Sequence, residues 1–211
     1  MDNIPALMDP PQFLALAAAL GWVSGFRLYA ALFLTGLAGY MGWIELPSGL
    51  HILQHPAVLG ASGFMLFVEF FADKIPYVDS VWDAVHTLVR IPAGAALAAG
   101  ALGADSTAMA WVAALVGGSL AATSHATKMT TRAAVNTSPE PFSNVAMSLL
   151  GDGVVPVMLW LSWAQPMVFF AALAFALIVM VALVVVLAKF LRMLVRRFTP
   201  TYNAAGSCED R

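Results

Sequence analysis

Residues 165–188 read QPMVFFAALAFALIVMVALVVVLA, a run without one charged side chain that ends against Lys189, Arg192, Arg196 and Arg197. About 20 mostly apolar residues suffice to cross ~30 Å of hydrocarbon as a helix. The run is therefore a membrane span with a basic stop. Working back from it, residues 153–165 are too few for another span, so a fifth helix must begin near Asn144, which draws Asp152 into the membrane. The remaining apolar runs predict spans over 12–38, 56–75, 81–103, 106–126, 144–163 and 166–188. Composition agrees: of 211 residues 61% are hydrophobic and 10% charged, whereas soluble domains carry about 25% charge. The expected fold is an all-α integral membrane protein of about six transmembrane helices. It forms one polytopic domain over 1–198, followed by a short polar cytoplasmic tail over 199–211.

The basic residues set an expected topology. Lys74 and Arg90 flank the turn between the second and third spans, Lys128 and Arg132 lie between the fourth and fifth, and all the others except Arg27 close the chain. The connections 39–55, 103–105 and 162–165 contain no Lys or Arg. Cytoplasmic loops carry the Lys and Arg excess, so the reading is six crossings with both termini inside. The opening MDNIPALMDPPQ has no basic residue and lacks the charged start of a cleaved signal, so the first helix is expected to be retained. The basic residues are used for topology, and the net charge of −2 gives no reason to expect nucleic acid. The bilayer is the expected partner, with anionic lipid near Lys189, Arg192, Arg196 and Arg197. The lone Cys208 allows no internal disulfide.

Three spans followed by three more would set any duplicated halves in opposite orientation, a 3+3 inverted repeat of the transporter kind. Two echoes suggest one. Ser24 after Leu20-Gly21-Trp22-Val23 parallels Ser124 after Leu120-Ala121-Ala122-Thr123, and Phe70-Phe71-Ala72-Asp73 resembles Leu149-Leu150-Gly151-Asp152. Small residues at one-turn spacing (Ala17, Gly21 and Gly25; Ala110, Ala114, Gly118, Ala122 and Ala126) let helix backbones approach closely. They serve packing within one protomer or, through the fourth helix, a homo-oligomer.

The candidate chemistry lies in ionisable residues at membrane depth. Asp79, Asp83, His86 and Arg90 stand at i, i+4, i+7 and i+11, so one helix face carries them all. Pro76 is expected to end the second helix and Asp79 to sit in the first turn of the third, where an acid suits the positive end of the dipole. Glu69 and Asp73 share a face of the second helix, and His125, Lys128 and Arg132 form a basic stripe opposite. This arrangement predicts ion pairing. Arg27 is the exception to the charge rule, near the middle of the first span in Ser24-Gly25-Phe26-Arg27. An Arg there costs about 2.5 to more than 10 kcal/mol unless it faces a partner or water, and Asp152 is the first candidate, Glu69 the second. Gly151-Asp152-Gly153 followed by Pro156 suggests a broken helix, a construction common at transport sites.

Enzymatic readings fare poorly. Leu149-Leu150-Gly151-Asp152 lacks the first Gly of the intramembrane aspartyl protease segment, and His51 and His55 have only Glu45 nearby as a further zinc ligand. Glycine-rich nucleotide motifs are missing. No metal and no cofactor are expected.

The blocks Ser24-Gly25-Phe26-Arg27 and Val68-Glu69-Phe70-Phe71-Ala72-Asp73-Lys74-Ile75-Pro76-Tyr77-Val78-Asp79-Ser80, continuing through Asp83 to Pro92-Ala93-Gly94, resemble the bacterial domain-of-unknown-function family 4126. The likeness is sharpest from Glu69 to Gly94 and looser from Thr130 to Asp152. It implies a small multi-pass protein of the bacterial inner membrane with a shared polar core, and supplies no substrate. The residues themselves point to a transporter or channel-like permease in which Arg27, Glu69, Asp73, Asp79, Asp83, His86, Arg90, Lys128 and Asp152 line a polar pathway. The alternative is an assembly or lipid-interacting protein whose buried charges only lock helices together.

Overall fold

A computed structural model describes residues 9–75, 77–102, 106–137 and 141–198; the expectations for Pro76, for the connection 103–105 and for the tail with Cys208 lie outside the described residues. The protein is all-α: α1 (Pro10–Tyr40), a 3-10 turn (Ser48–Gln54), α2 (Pro56–Ala72), α3 (Val78–Leu102), α4 (Thr107–Val135), α5 (Pro141–Ala164) and α6 (Pro166–Phe198). Helix starts follow local chemistry. Gln12 reaches back 2.7 Å to the Asp9 amide ahead of Pro10, His55 accepts from the Ala57 amide ahead of Pro56, and Ser106 accepts from that of Met109. Each satisfies an amide that a helix N-terminus leaves without a partner. Five helices are long and apolar enough to cross a membrane, and the 3-10 turn with α2, bent by 70°, makes a sixth such segment.

α1 has the length of a span but not its straightness. Its helical course is broken at Arg27 (φ −145°, ψ 77°), and close contacts fix where the two arms go. α4 runs parallel to the first arm: Gly21 abuts Gly117, Gly25 abuts Ala121 and Ser124, and Lys128 reaches the Phe26 carbonyl. α3 runs antiparallel to α4, with Ala98 at Gly117 and Asp79 at Arg132. Moving along α3 from Gly94, which abuts Gly21, to Gly100 therefore leads ~9 Å back toward the start of α1. Gly100 abuts Gly49, and Leu53 of the same turn abuts Gly36. A straight α1 would set Gly36 ~22 Å past Gly21 in the other direction, about 30 Å from Gly100. The seven-residue 3-10 turn between them spans only ~14 Å. The second arm consequently folds back, and α1 is a hairpin with Arg27 at its tip. α5 agrees: Ser148 and Asp152 meet Arg27, while the Trp163 carbonyl meets Gln12.

This hairpin corrects three expectations. The crossing expected over 12–38 turns back, so the start of α1 and the end of α6 lie at opposite ends of the bundle. The break foreseen at Asp152 is at Arg27 instead, since α5 runs through Pro156 as one helix. The first arm of α1 also lies parallel to α4, its supposed counterpart, where inverted halves would oppose them. A further difference concerns 123–144, which reads as a polar loop but is helical to Val135. Its polar side chains point into the protein, the direction in which a membrane helix hides charge.

The enclosed hairpin needs small residues around it. A Cβ on Gly21 would sit 2.6 Å from the Gly117 Cα, and one on Gly117 would sit 2.8 Å from the Gly94 carbonyl oxygen. The close-approach stripe of α4 is thus Ala113, Gly117 and Ala121, all buried. The neighbouring stripe of Ala110, Ala114, Gly118 and Ala122 is only partly so. Gly117→Val should lower stability by about 1 to 3 kcal/mol through overpacking, seen as a lower unfolding midpoint in detergent. Gly60→Ala, with open space around it, should not lower it; equal behaviour of the two would contradict this packing.

Candidate functional site

The amphipathic third helix is inside out relative to a soluble protein. Asp79, Asp83, His86 and Arg90 are buried, while Val81 and Val85 stand 66% and 62% exposed, as a lipid-facing surface requires. The inward face meets the ends of α2 and α4 and the tip of α1. There five cations and five carboxylates form one connected network with no net charge: Arg27, Lys74, Arg90, Lys128 and Arg132 against Glu69, Asp73, Asp79, Asp83 and Asp152.

Arg27 is gripped from two sides. Its Nη1 lies 2.7 Å from Asp73 and its Nη2 2.7 Å from Asp152, and Nη2 also donates to the Ser148 carbonyl and hydroxyl. The two acids are the ones whose local sequences echo each other. Asp152 was the expected partner, whereas Glu69, the second candidate, pairs with Arg90 instead. Asp73 also accepts from Lys128 (3.0 Å) and lies 3.4 Å from Arg132. Asp83 bridges Arg90 (2.7 Å) and Lys128 (2.8 Å). Asp79 does more than occupy the first turn of α3: one carboxylate oxygen accepts from the Ser80 amide, the other pairs with Arg132 at 2.6 Å. Lys74 pairs with Asp152 at 3.2 Å and lies over the Phe70 ring.

The broken turn is completed by α4. Ser124 donates to the Trp22 carbonyl at 2.7 Å, His125 Nδ1 lies 3.3 Å from the Gly25 carbonyl, and Lys128 donates to the Phe26 carbonyl at 3.2 Å. Non-helical backbone at membrane depth is tolerated where protein satisfies it, and three side chains of one helix do so here. His86 stands apart from the network: it hydrogen-bonds the Tyr29 hydroxyl and the Trp82 carbonyl and stacks on the Trp82 ring. His51 and His55 each bond their own loop, His51 at the Leu46 carbonyl and His55 at the Ala57 amide. Lys189 and Arg192 are exposed on α6, and the side chains of Arg196 and Arg197 lie outside the described residues.

A cavity of about 320 Å³ reaches this network from the side of α6. Of the pathway residues expected from sequence it brings together Arg27, Asp73 and Lys128; Glu69, Asp79, Asp83, His86, Arg90 and Asp152 do not line it. Arg132 and Thr131 do. Arg132 was legible as part of the basic stripe, but its place at a cavity was not, because the wall opposite comes from α5 and α6. That wall is apolar, including Val154, Val155 and Met180, and its rim residues Leu150, Phe175 and Val179 are exposed. The cavity opens toward lipid.

These features define a multi-span α-helical membrane protein built round a buried, charge-balanced network and a helical hairpin. The chain belongs to the family described as domain of unknown function (DUF4126), whose model matches residues 14–187 and so includes every member of the network. No curated protein and no solved structure matches it.

Proposed function

We propose that this protein is a small membrane permease, and that its solute is admitted at the cavity beside Arg27. The observation that carries the reading is the meeting of three things at one place: a cavity, a break in α1 and a network whose members have interchangeable partners. Asp73 faces Arg27, Lys128 and Arg132 at once, and Asp83 faces Arg90, Lys128 and Arg132. Such carboxylates can change partner without ever being bare, which suits a path that opens and closes. Discontinuous helices near the membrane middle are the usual frame of transport sites.

The test is flux in proteoliposomes under an imposed gradient, screening ions and small amphiphiles. His86→Gln should leave any flux and its pH dependence unchanged, because among the described residues His86 bonds Tyr29 and Trp82 and no member of the network. A folded, monodisperse protein that moves none of the probes would overturn the permease. It would favour the second reading, an assembly or lipid-interacting protein, which the complete pairing of five cations with five acids supports.

The family resemblance supports a bacterial inner membrane, and the Lys and Arg bias supports a cytoplasmic location for the end bearing Lys74, Arg132 and Arg192. The hairpin then directs the start of α1 to the periplasm and the end of α6 to the cytoplasm. Reporters active only in the cytoplasm should work when fused after α6 and fail when fused before α1; activity at both ends would contradict the hairpin.

A further inference from the structure

We infer that the cavity between the first arm of α1, α4, α5 and α6 binds a single-chain amphiphile with an anionic head, a carboxylate or a phosphate monoester. This deepens the permease reading and rests on it only in calling the ligand a solute. Charge complementarity selects the head. Three cations, Arg27, Lys128 and Arg132, line the cavity against one carboxylate, that of Asp73. Asp73 is fully buried and faces all three of them. Asp83 holds Lys128 as well, Asp152 holds Arg27 and Asp79 holds Arg132 Nη1, so the most loosely engaged edge of the three cations is that of Arg132, with Nη2 3.4 Å from Asp73 and Nε 3.5 Å from Asp83.

A second polar group waits beside them. The Thr131 hydroxyl lines the same cavity, is buried and has no hydrogen-bond partner among the described residues. Buried hydroxyls are almost always partnered, and a donor next to two cations is the complement of an oxyanion. A cationic head would meet Lys128 and Arg132 directly. The tail is selected by the opposite wall, the apolar faces of α5 and α6 open to the bilayer at Leu150, Phe175 and Val179. About 320 Å³ lies at the small end of ligand sites, which run from ~300 to ~1,000 Å³. It holds one chain with a compact head and not a two-chain phospholipid.

Gly151 supplies a clean occluding variant, since it lines the cavity and a Cβ there meets nothing within 4 Å. Purified full-length protein in phosphatidylcholine nanodiscs would be titrated with dodecanoate, dodecyl phosphate, dodecylphosphocholine and dodecyltrimethylammonium, reading the unfolding midpoint. Saturable binding at a hundredfold excess over Kd should raise the midpoint by roughly 5 to 10 °C for one or both anionic probes and for neither of the others. The stronger of dodecanoate and dodecyl phosphate identifies the head. Gly151→Leu should abolish the shift while keeping the unliganded midpoint, and Thr131→Val should weaken binding about tenfold.

Equal shifts from the zwitterionic or cationic probe would overturn the anionic head. A shift unchanged in Gly151→Leu would place binding elsewhere and overturn the site, as would no shift from any probe. Binding without flux would keep this site and sink the permease. Flux of another solute without binding would do the reverse.

Discussion

Arg90→Met should be among the most damaging single substitutions in the protein, removing it from the membrane fraction altogether. Arg90 and Glu69 are each fully buried, and Arg90 is the only cation within ion-pair distance of Glu69 among the described residues. Removing one member of such a pair costs about 3 to 5 kcal/mol because the other charge stays buried without a counter-ion, a large part of the ~5–15 kcal/mol that holds a typical fold. Replacing both by apolar residues of similar size often costs little, so Arg90→Met with Glu69→Leu should recover much of the lost protein. Asp83 retains Lys128 and Arg132 in the double variant. Accumulation in membranes and the detergent unfolding midpoint provide the measure; a double variant no better than the single would show that Glu69 is not what Arg90 neutralises.

Arg27→Ala is expected to be nearly as severe for a different reason. Asp73 keeps Lys128 and Arg132 and Asp152 keeps Lys74, so no single acid is stranded. The network as a whole becomes anionic, however, and the Ser148 carbonyl loses the Arg27 donor while its hydroxyl keeps only the longer bond from Lys74. A loss of about 3 kcal/mol is expected. Adding Asp152→Asn should restore balance and part of the stability, since Lys74 is partly exposed and its long stem can carry the ammonium to the interface. No recovery in that double variant would show that charge balance does not govern the site.

Much of this was legible in the sequence, and the reason is hydrophobicity. The starts and ends of α2, α3 and α5 and the start of α6 fall close to the apolar runs, because a bilayer demands length and uncharged surface and little else, while α6 continues ten residues past its run to Phe198. The shared face of Asp79, Asp83, His86 and Arg90 followed from helical periodicity alone. The pairing of Arg27 with Asp152 followed from the cost of leaving either bare. What stayed hidden depends on contacts between distant segments. The break at Arg27 carries no proline, and it is held by Ser124, His125 and Lys128 about a hundred residues away. The helical course of 127–135 was masked by its own polarity, which reads as loop until the acids that it faces are known. His86 sits at the periodic position of a network residue, yet its ring turns to Tyr29 and Trp82.

The tip of α1 also has a place in time. Arg27 is made before any of its counter-ions: Asp73 comes only when α2 is complete, and Asp152 only after α3, α4 and half of α5. At ~5–20 residues per second that second acid arrives on the order of ten seconds later. Until α2 is made the hairpin carries a bare cation that lipid does not accept, and until Asp152 follows it has only one of its two acids. The hairpin tip thus gains its full set of partners only when α5, which brings Ser148 and Asp152, packs against it, so the first helix to be made is among the last to be completely neutralised.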